Sequence, residues 1–372
     1  MKLLVFAQTP PPHHGQSAMV RLLLEELGRP GQGFELHHVN LRLSETSSDV
    51  GRWQFRKVFP LLAACGKALY LRWRHGPMVF YYVPSPAKRS ALYRDWVIMM
   101  LCRPFFNQLV LHWHAVGLGQ WVETSATSLE RSITRSLLGK AELSIVLAPE
   151  LTADVETFWP KHVAIVQNSM PETGVLPPPR RRTASERYEV LFIGLCSAEK
   201  GIFDTLEAVA LLHAHNPGAY RLTIAGAFDD AATERRFKAR ADELTATVRY
   251  IGFADGEAKK KLFTESDVFC FPTYYQHEGQ PLVLIEALAH DIPIVTTKWR
   301  AIPAMLPRKH VWFVEPSRPE QIAEAIFQAR RAGEAKGVLR EHYLLNFTPA
   351  QHVTALKKAL RSLETAPPSS AR

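Results

Sequence analysis

Short apolar runs of four to seven residues recur along this chain, separated by longer amphipathic stretches, and the alternation breaks only once. The first half supplies KLLVFA, FELHHVN, MVFYYVP, QLVLHWHA, LSIVLA and HVAIVQN. The second supplies YEVLFIGL, YRLTIAGA, TVRYIG, DVFCFPT, IPIVTT and VWFVEP. Runs this apolar need cover on both faces, which suits strands of a parallel sheet joined by helical crossovers. Helical patterns lie between them, as in residues 17–27 and 87–102. The break is PETGVLPPPRRRTASER, residues 171–187, whose prolines and charges have nothing to bury. Two doubly wound α/β domains are therefore expected, over residues 1–170 and 188–345, with 171–187 as linker. A Thr–Pro start and helical spacing in FTPAQHVTALKKALRSL predict a last helix within residues 346–372, followed by a disordered tail. A length of 372 residues agrees with two domains.

Hydrophobic residues at 47% and charged residues at 22% leave enough to build cores, excluding a disordered or collagen-like chain. The formal charge of +9 points to an anionic partner. All of that surplus falls in residues 50–109, which hold ten basic residues and a single acid, Asp95; elsewhere the two signs balance. Trp53, Phe55, Phe59, Leu61, Leu62, Tyr70, Trp73 and Trp96 are interleaved with the cations. Such a mixture suits an anionic membrane surface, with Arg52, Arg56, Lys57, Lys67, Arg72 and Arg74 as its candidate contacts. Nucleic acid ranks lower because no nucleic-acid motif accompanies the charge, and a solvated helical face over an ordinary core is the plain alternative. Four cysteines without a CxxC pair suit a reducing cytoplasm. MKLLVFAQTPPP is too short for a signal sequence and reads as a first strand; WVIMMLC is too short to span a bilayer. The expected location is cytoplasmic, peripheral at the inner face of the membrane.

Four segments carry candidate chemistry. In FPTYYQHEGQPLVLIEALAHDIPIV a strand ends, turns through Glu278, Gly279 and Gln280, and starts a helix at Pro281 and Leu282. The first-turn amides and the helix dipole there suit a diphosphate. Glu278 and Glu286 are eight positions apart, about 12 Å at helical rise; two solvated carboxylates on a helix is the alternative. In LFIGLCSAEKGIFDTLEAVALL a strand ends at Gly194, and Lys200 with Gly201 opens a helix from which the Lys can reach an anion. QTPPPHHGQSAMVRLLLEEL follows the first strand, where a doubly wound sheet places its ligand, and otherwise reads as a proline-stiffened turn. In QLVLHWHAVG, His112 and His114 share one face of a strand; no acid at suitable spacing makes them a metal pair, and packed histidines are the usual outcome. No GxxxxGK[ST], HExxH or GxSxG motif occurs.

The E-x7-E pair of Glu278 and Glu286, followed by ALA and Pro293, resembles the signature of the retaining glycosyltransferases of family four, the glycosyl transferases group 1. The likeness covers nearly the whole chain and is strongest over residues 188–313. It implies the GT-B fold: two Rossmann-like parallel-sheet domains facing a cleft, with the C-terminal helix crossing back to the N-terminal domain. The second domain would hold a UDP- or GDP-sugar and the first a glycan or lipid-linked acceptor, with retention of configuration and neither metal nor cofactor. Carried over position by position, the resemblance gives His114, Lys200 and Glu278 catalytic roles. It gives Gly15, Gln16, Lys200, Glu278, Gly279, Gln280, Pro281, Leu282 and Glu286 donor contacts, with Glu286 on the ribose and Glu278 facing the sugar. Three positions depart from the family pattern: Leu195 stands where an Arg is expected, Gln16 where a second Gly is common, and Ser169 replaces Gly in VQNSM. The rival readings are a nucleotide-sugar epimerase or hydrolase on the same fold, and a non-catalytic nucleotide-sugar-binding protein.

Overall fold

A computed structural model describes residues 1–11, 15–41, 58–174, 186–245 and 247–365. Most of the expected linker and the tail beyond 365 lie outside the described residues. The chain divides into two units. Unit 1 comprises residues 1–168, 277–280 and 349–372; unit 2 comprises 169–276 and 281–348.

All twelve apolar runs form strands. Unit 1 contains β1 (Lys2–Phe6), β2 (Glu35–Val39), β3 (Val79–Tyr82), β4 (Leu109–His112), β5 (Leu143–Val146) and β6 (Val163–Ile165). They make one parallel sheet in the order β2-β1-β3-β4-β5-β6. Its first helices are α1 (Gly15–Leu27), α2 (Val58–His75) and α3 (Arg89–Cys102). Next come α4 (Leu118–Thr124), α5 (Ser128–Leu138) and α6 (Thr152–Glu156). The register β1 to β3 sets Leu3, Val5 and Val79, Tyr81 on one buried face.

Unit 2 contains β7 (Tyr188–Ile193), β8 (Tyr220–Ala225), β9 (Val248–Tyr250), β10 (Val268–Phe271), β11 (Ile294–Thr297) and β12 (Val311–Val314). Their order is β12-β11-β10-β7-β8-β9, again parallel. The helices α7 (Ile202–His215), α8 (Ala231–Asp242), α9 (Gly256–Glu265), α10 (Leu282–Ala289), α11 (Ile302–Met305), α12 (Pro319–Ala332) and α13 (Val338–Asn346) complete it. The order reverses between β7 and β10 in unit 2 and between β1 and β3 in unit 1. Doubly wound sheets bind ligands beyond the carboxyl ends of their strands at such reversals.

The last helix, α14 (Pro349–Thr365), belongs to unit 1 although it follows unit 2 in sequence. Val353, Leu356, Leu360 and Leu363 enter the core that β1, β3 and α1 share. Spacing of three and four residues puts these side chains on one stripe. His352 Nδ1 donates to the Gln167 carbonyl at 2.6 Å and ties the start of α14 to the strand-end segment before Asn168. Among the described residues no helix is long and apolar enough to cross a membrane. Leu356 is fully buried, so Leu356→Ala is expected to cost about 2–5 kcal/mol. Urea unfolding followed by circular dichroism should show the lower midpoint, and an unchanged midpoint would contradict the packing of α14.

Candidate functional site

In unit 2 the site is built where the sheet order reverses. Strand β7 ends at Ile193, and the chain passes Gly194 and Leu195 into one turn of 3-10 helix, Ala198–Lys200, before α7. Gly201 closes this turn at φ +81, in the left-handed region. A Cβ there would also lie 2.5 Å from the Pro272 carbonyl oxygen, so conformation and neighbour both demand glycine. The Tyr274 amide donates to the Glu199 carbonyl at 2.7 Å and locks the loop after β10 onto the turn after β7. Lys200 Nζ consequently stands 4.6 Å from the centroid of the Tyr275 ring and 5.7 Å from that of Phe271. The electron-rich faces hold the ammonium in place. Leu195, at the position of the expected Arg, is 42% exposed.

Helix α10 starts one residue later than the sequence suggests. Pro281 is its N-cap, with φ −65 and ψ 119, and the first helical residue is Leu282. Its ring therefore fixes the approach to the helix, and the first-turn amides are those of Leu282 and Val283. The 12 Å estimate between the two glutamates does not apply, because Glu278 precedes the helix altogether. Glu286 on α10, its side chain 12% exposed, pairs with Lys259 Nζ of α9 at 2.5 Å. Burial raises its pKa and the Lys259 ammonium pulls it back down. Lys259 escaped the sequence reading because it sits in a Lys-Lys-Lys run that looks like a solvated face.

Residues 277–280, which interrupt unit 2 in sequence, are part of unit 1. Their two ends are pinned there. His277 Nδ1 donates to the Val116 carbonyl at 2.9 Å, and the Val116 amide meets the His277 carbonyl at 3.4 Å. Gln280 receives the Asn168 amide on Oε1 at 2.6 Å and the Asn168 side chain on its carbonyl at 3.0 Å. Between them, a Cβ on Gly279 would lie 2.6 Å from the His114 carbonyl oxygen. Unit 1 thus brings Glu278, Gly279 and Gln280 to His114, with Asn168 as an anchor the sequence reading did not identify. Gly15 and Gln16 begin α1 beyond β1, two strands from β4. Residues 12–14 of that loop lie outside the described residues.

His112 ends β4 fully buried, hydrogen-bonded to the Tyr81 hydroxyl through Nδ1, with the His114 ring 4.2 Å away centroid to centroid. Burial holds the His112 pKa well below the ordinary value, as it lowers that of His352. This is the structural role expected for His112. Among the described residues, the one group of three side chains able to share a metal ion is Glu35, His37 and His75. It lies at the start of β2 and the end of α2, the amino-terminal edge of the sheet, where Lys2 also stands 3.6 Å from Glu35.

The basic segment splits in the structure. Arg89 binds Glu130 at 2.8 Å, holding its carboxyl at about 2 with help from the Thr127 amide and Tyr93. Arg94 pairs with buried Asp95 at 3.0 Å. Arg103 donates to the Leu137 carbonyl and, at 2.6 Å, to that of Gly139, satisfying the end of α5. Those three cations are structural. Lys67, Arg72 and Arg74 lie on α2, whereas Arg52, Arg56 and Lys57 lie outside the described residues.

Residues 178–340 match the sequence model of the family Glycosyl transferases group 1. Glycogen synthase of Mycobacterium tuberculosis is 24% identical over 216 residues, 55% of this chain and 50% of the relative. The amylovoran biosynthesis glycosyltransferase AmsK of Erwinia amylovora is 26% identical over 159 residues, 42% of this chain and 39% of the relative. The chain spans half or less of the length of these curated relatives. Among solved structures, sucrose-phosphate synthase from Thermosynechococcus elongatus superposes with a TM-score of 0.76 at 18% identity, over 99% of this chain and all of that one. Anabaena HepE in complex with UDP gives 0.68 at 13% identity, over 97% of this chain and all of that one. At such identities the likeness establishes the fold, which is GT-B.

Gly279→Ala is expected to destabilise unit 1 by about 1–3 kcal/mol, because a backbone carbonyl rather than a flexible side chain must move. Thermal unfolding checks it, and a midpoint equal to wild type would contradict the close approach. His112 and His352 also predict a pH dependence. Both are neutral when folded and bind protons near the ordinary value of about 6.5 when unfolded. Their contribution is therefore complete above that pH and declines as pH falls below it toward the lower folded values. Melting points measured from about pH 8 to about pH 5 should fall on acidification.

Proposed function

From the match of residues 178–340 to the sequence model of the glycosyl transferases group 1 family, we propose that this chain transfers a sugar from a UDP- or GDP-linked donor to a hydroxyl of a glycan or lipid-linked acceptor, with retention of configuration. The observation that carries the reading is the placement of Lys200 and the start of α10. They follow β7 and β10, the adjacent strands at which the sheet order of unit 2 reverses. One presents an oriented cation and the other the positive end of a helix, the combination a diphosphate requires. The UDP bound in the Anabaena structure and the polysaccharide syntheses named for the relatives support a nucleotide donor and a sugar acceptor.

In the proposed reaction the bond from the anomeric carbon to the diphosphate oxygen breaks, and its electron pair leaves on the nucleoside diphosphate. The acceptor oxygen bonds to the anomeric carbon in its place, and the acceptor's proton passes to the departing diphosphate oxygen. Lys200 and the amides of Leu282 and Val283 meet the charge as it grows on the leaving group, so they stabilise the transition state more than the ground state. This supply of positive charge is why the reading needs no metal or cofactor. Glu286 is assigned to the ribose hydroxyls, with the Lys259 ammonium opposing the rise in pKa that burial causes. His114 and Glu278 are assigned to the sugar, and Gly15 with Gln16 to the donor, on family resemblance. A second reading, a nucleotide-sugar binder without turnover, draws on exposed Leu195, which removes a charge-assisted phosphate contact.

Calorimetric titration with UDP, GDP and their sugars, followed by turnover with lipid-linked and free glycan acceptors, separates the two. Tight binding with no transfer would establish the second reading. Glu286→Ala is expected to weaken donor binding by about 10- to 100-fold, the loss of hydrogen bonds to a charged group. Lys200→Ala is expected to lower kcat by about 100- to 1,000-fold. Wild-type behaviour in both variants would mean that the donor lies elsewhere.

A further inference from the structure

Helix α2 is amphipathic in a direction that folding does not explain. Leu61, Cys65 and Ala68 are its buried residues. Phe59, Leu62, Tyr70 and Trp73, which are 80%, 46%, 57% and 79% exposed, form a second apolar stripe. At about 100° per residue the centres of the two stripes lie about 130° apart around the helix, and the exposed one runs about 21 Å. Lys67 and Arg74 project along one margin of the exposed stripe, within about 100° of its centre. Arg72 reaches across to the 3-10 turn that follows α3, donating from Nε to the Phe105 carbonyl at 2.9 Å. Around that contact Met100, Leu101 and Phe105 are exposed as well, which widens the apolar surface beyond α2. Helix α2 contains no acidic residue.

Four exposed large side chains on one stripe are more than a surface helix scatters by chance, and contiguous apolar surface of this kind marks an interaction site. We propose that α2, together with the exposed end of α3, docks on a bilayer that carries anionic lipid. Trp73, Tyr70 and Phe59 would enter the headgroup and upper acyl region, where amphipathic aromatic rings are stable. The stems of Lys67 and Arg74 would lie along the apolar surface with their charges among the lipid phosphates. A second copy of this chain fits less well: two α2 helices packed about a two-fold axis would bring cations to cations with no carboxylate on either helix to neutralise them. The inference stands apart from the transferase reading, since it uses no residue assigned to donor or acceptor.

The test is flotation of the full chain with vesicles of phosphatidylcholine alone and of phosphatidylcholine mixed with phosphatidylglycerol, at low and high salt. Wild type is expected to float with the mixed vesicles at low salt and to be released from them by salt. Lys67→Gln with Arg74→Gln is expected to weaken partitioning roughly thirtyfold, from about 1 kcal/mol for each cation near the surface. Phe59→Ser with Trp73→Ser, solvent-facing changes that leave the core untouched, is expected to weaken it at least about tenfold. Circular dichroism and melting points of both variants should match wild type. Failure to float with anionic vesicles would overturn the proposal, as would flotation that both double variants leave unchanged. Self-association that Trp73→Ser abolishes, without flotation, would also overturn it and assign the stripe to a second copy. None of these outcomes depends on whether donor binding or transfer is detected.

Discussion

Much of the candidate site in unit 2 depends on one close approach, that of the Pro272 carbonyl to the α-carbon of Gly201. Neighbouring parallel strands end side by side, and the loop leaving each strand must make room for the loop leaving the other. Here β10 continues past its last paired residue and runs against the turn after β7, with the Tyr274 amide on the Glu199 carbonyl. Any side chain at 201 would push the two loops apart. With glycine there, Tyr275 comes under Lys200 and the chain proceeds to Pro281 at an angle that its ring fixes. The cation and the helix end are thus positioned by backbone packing, which is stiffer than side-chain packing and suits a site that must be organised before its ligand arrives. The same device recurs in unit 1, where Gly279 lies on the His114 carbonyl and hydrogen bonds at His277 and Gln280 hold the turn from both ends.

Charge in unit 1 obeys a different logic. The sequence shows a run of cations with one acid, and a run alone does not say which of them face water. Arg89, Arg94 and Arg103 turn inward or along the surface to Glu130, Asp95 and the end of α5, where each satisfies a group that would otherwise be costly to bury. Arg89 and Arg103 tie α5 to α3 and to the turn that follows it, while Arg94 neutralises its neighbour Asp95 within α3, so all three are already engaged. The cations of α2 have no such employment from acids on their own helix, and they flank an exposed aromatic stripe. Separating structural from available charge required knowing which acids and carbonyls lie opposite, information that no local pattern contains.

The strands were legible because a parallel sheet covered on both faces leaves a continuous apolar signature, and the glycines and prolines at their ends punctuate it. Every apolar run named from the sequence is a strand, and α14 keeps to its own spacing. Of the candidate site, the residue types and their order were legible: Lys200 with Gly201, the Glu278-Gly279-Gln280 turn, and Glu286 on a helix. The partners were not. Lys259 is hidden in a run of lysines, Tyr275 in a loop, and Asn168 near a strand end more than a hundred residues from the Gln280 it holds. Proline's role at 281 was misplaced by one residue, since its dihedral suits the cap as well as the first turn.

Sequence by itself therefore determined the two sheets, their helices and which groups are candidates to meet a diphosphate, because those depend on periodicity and on residue chemistry over short spans. Tertiary structure alone decided the sheet orders and their reversals, the assignment of residues 277–280 and α14 to unit 1, the ion pair at Glu286, and which cations of residues 50–109 are consumed. The physical reason is that these depend on contacts between residues distant in the chain. Such contacts are selected by the packing of whole faces, so a local stretch can specify its own shape but not the neighbour it will meet.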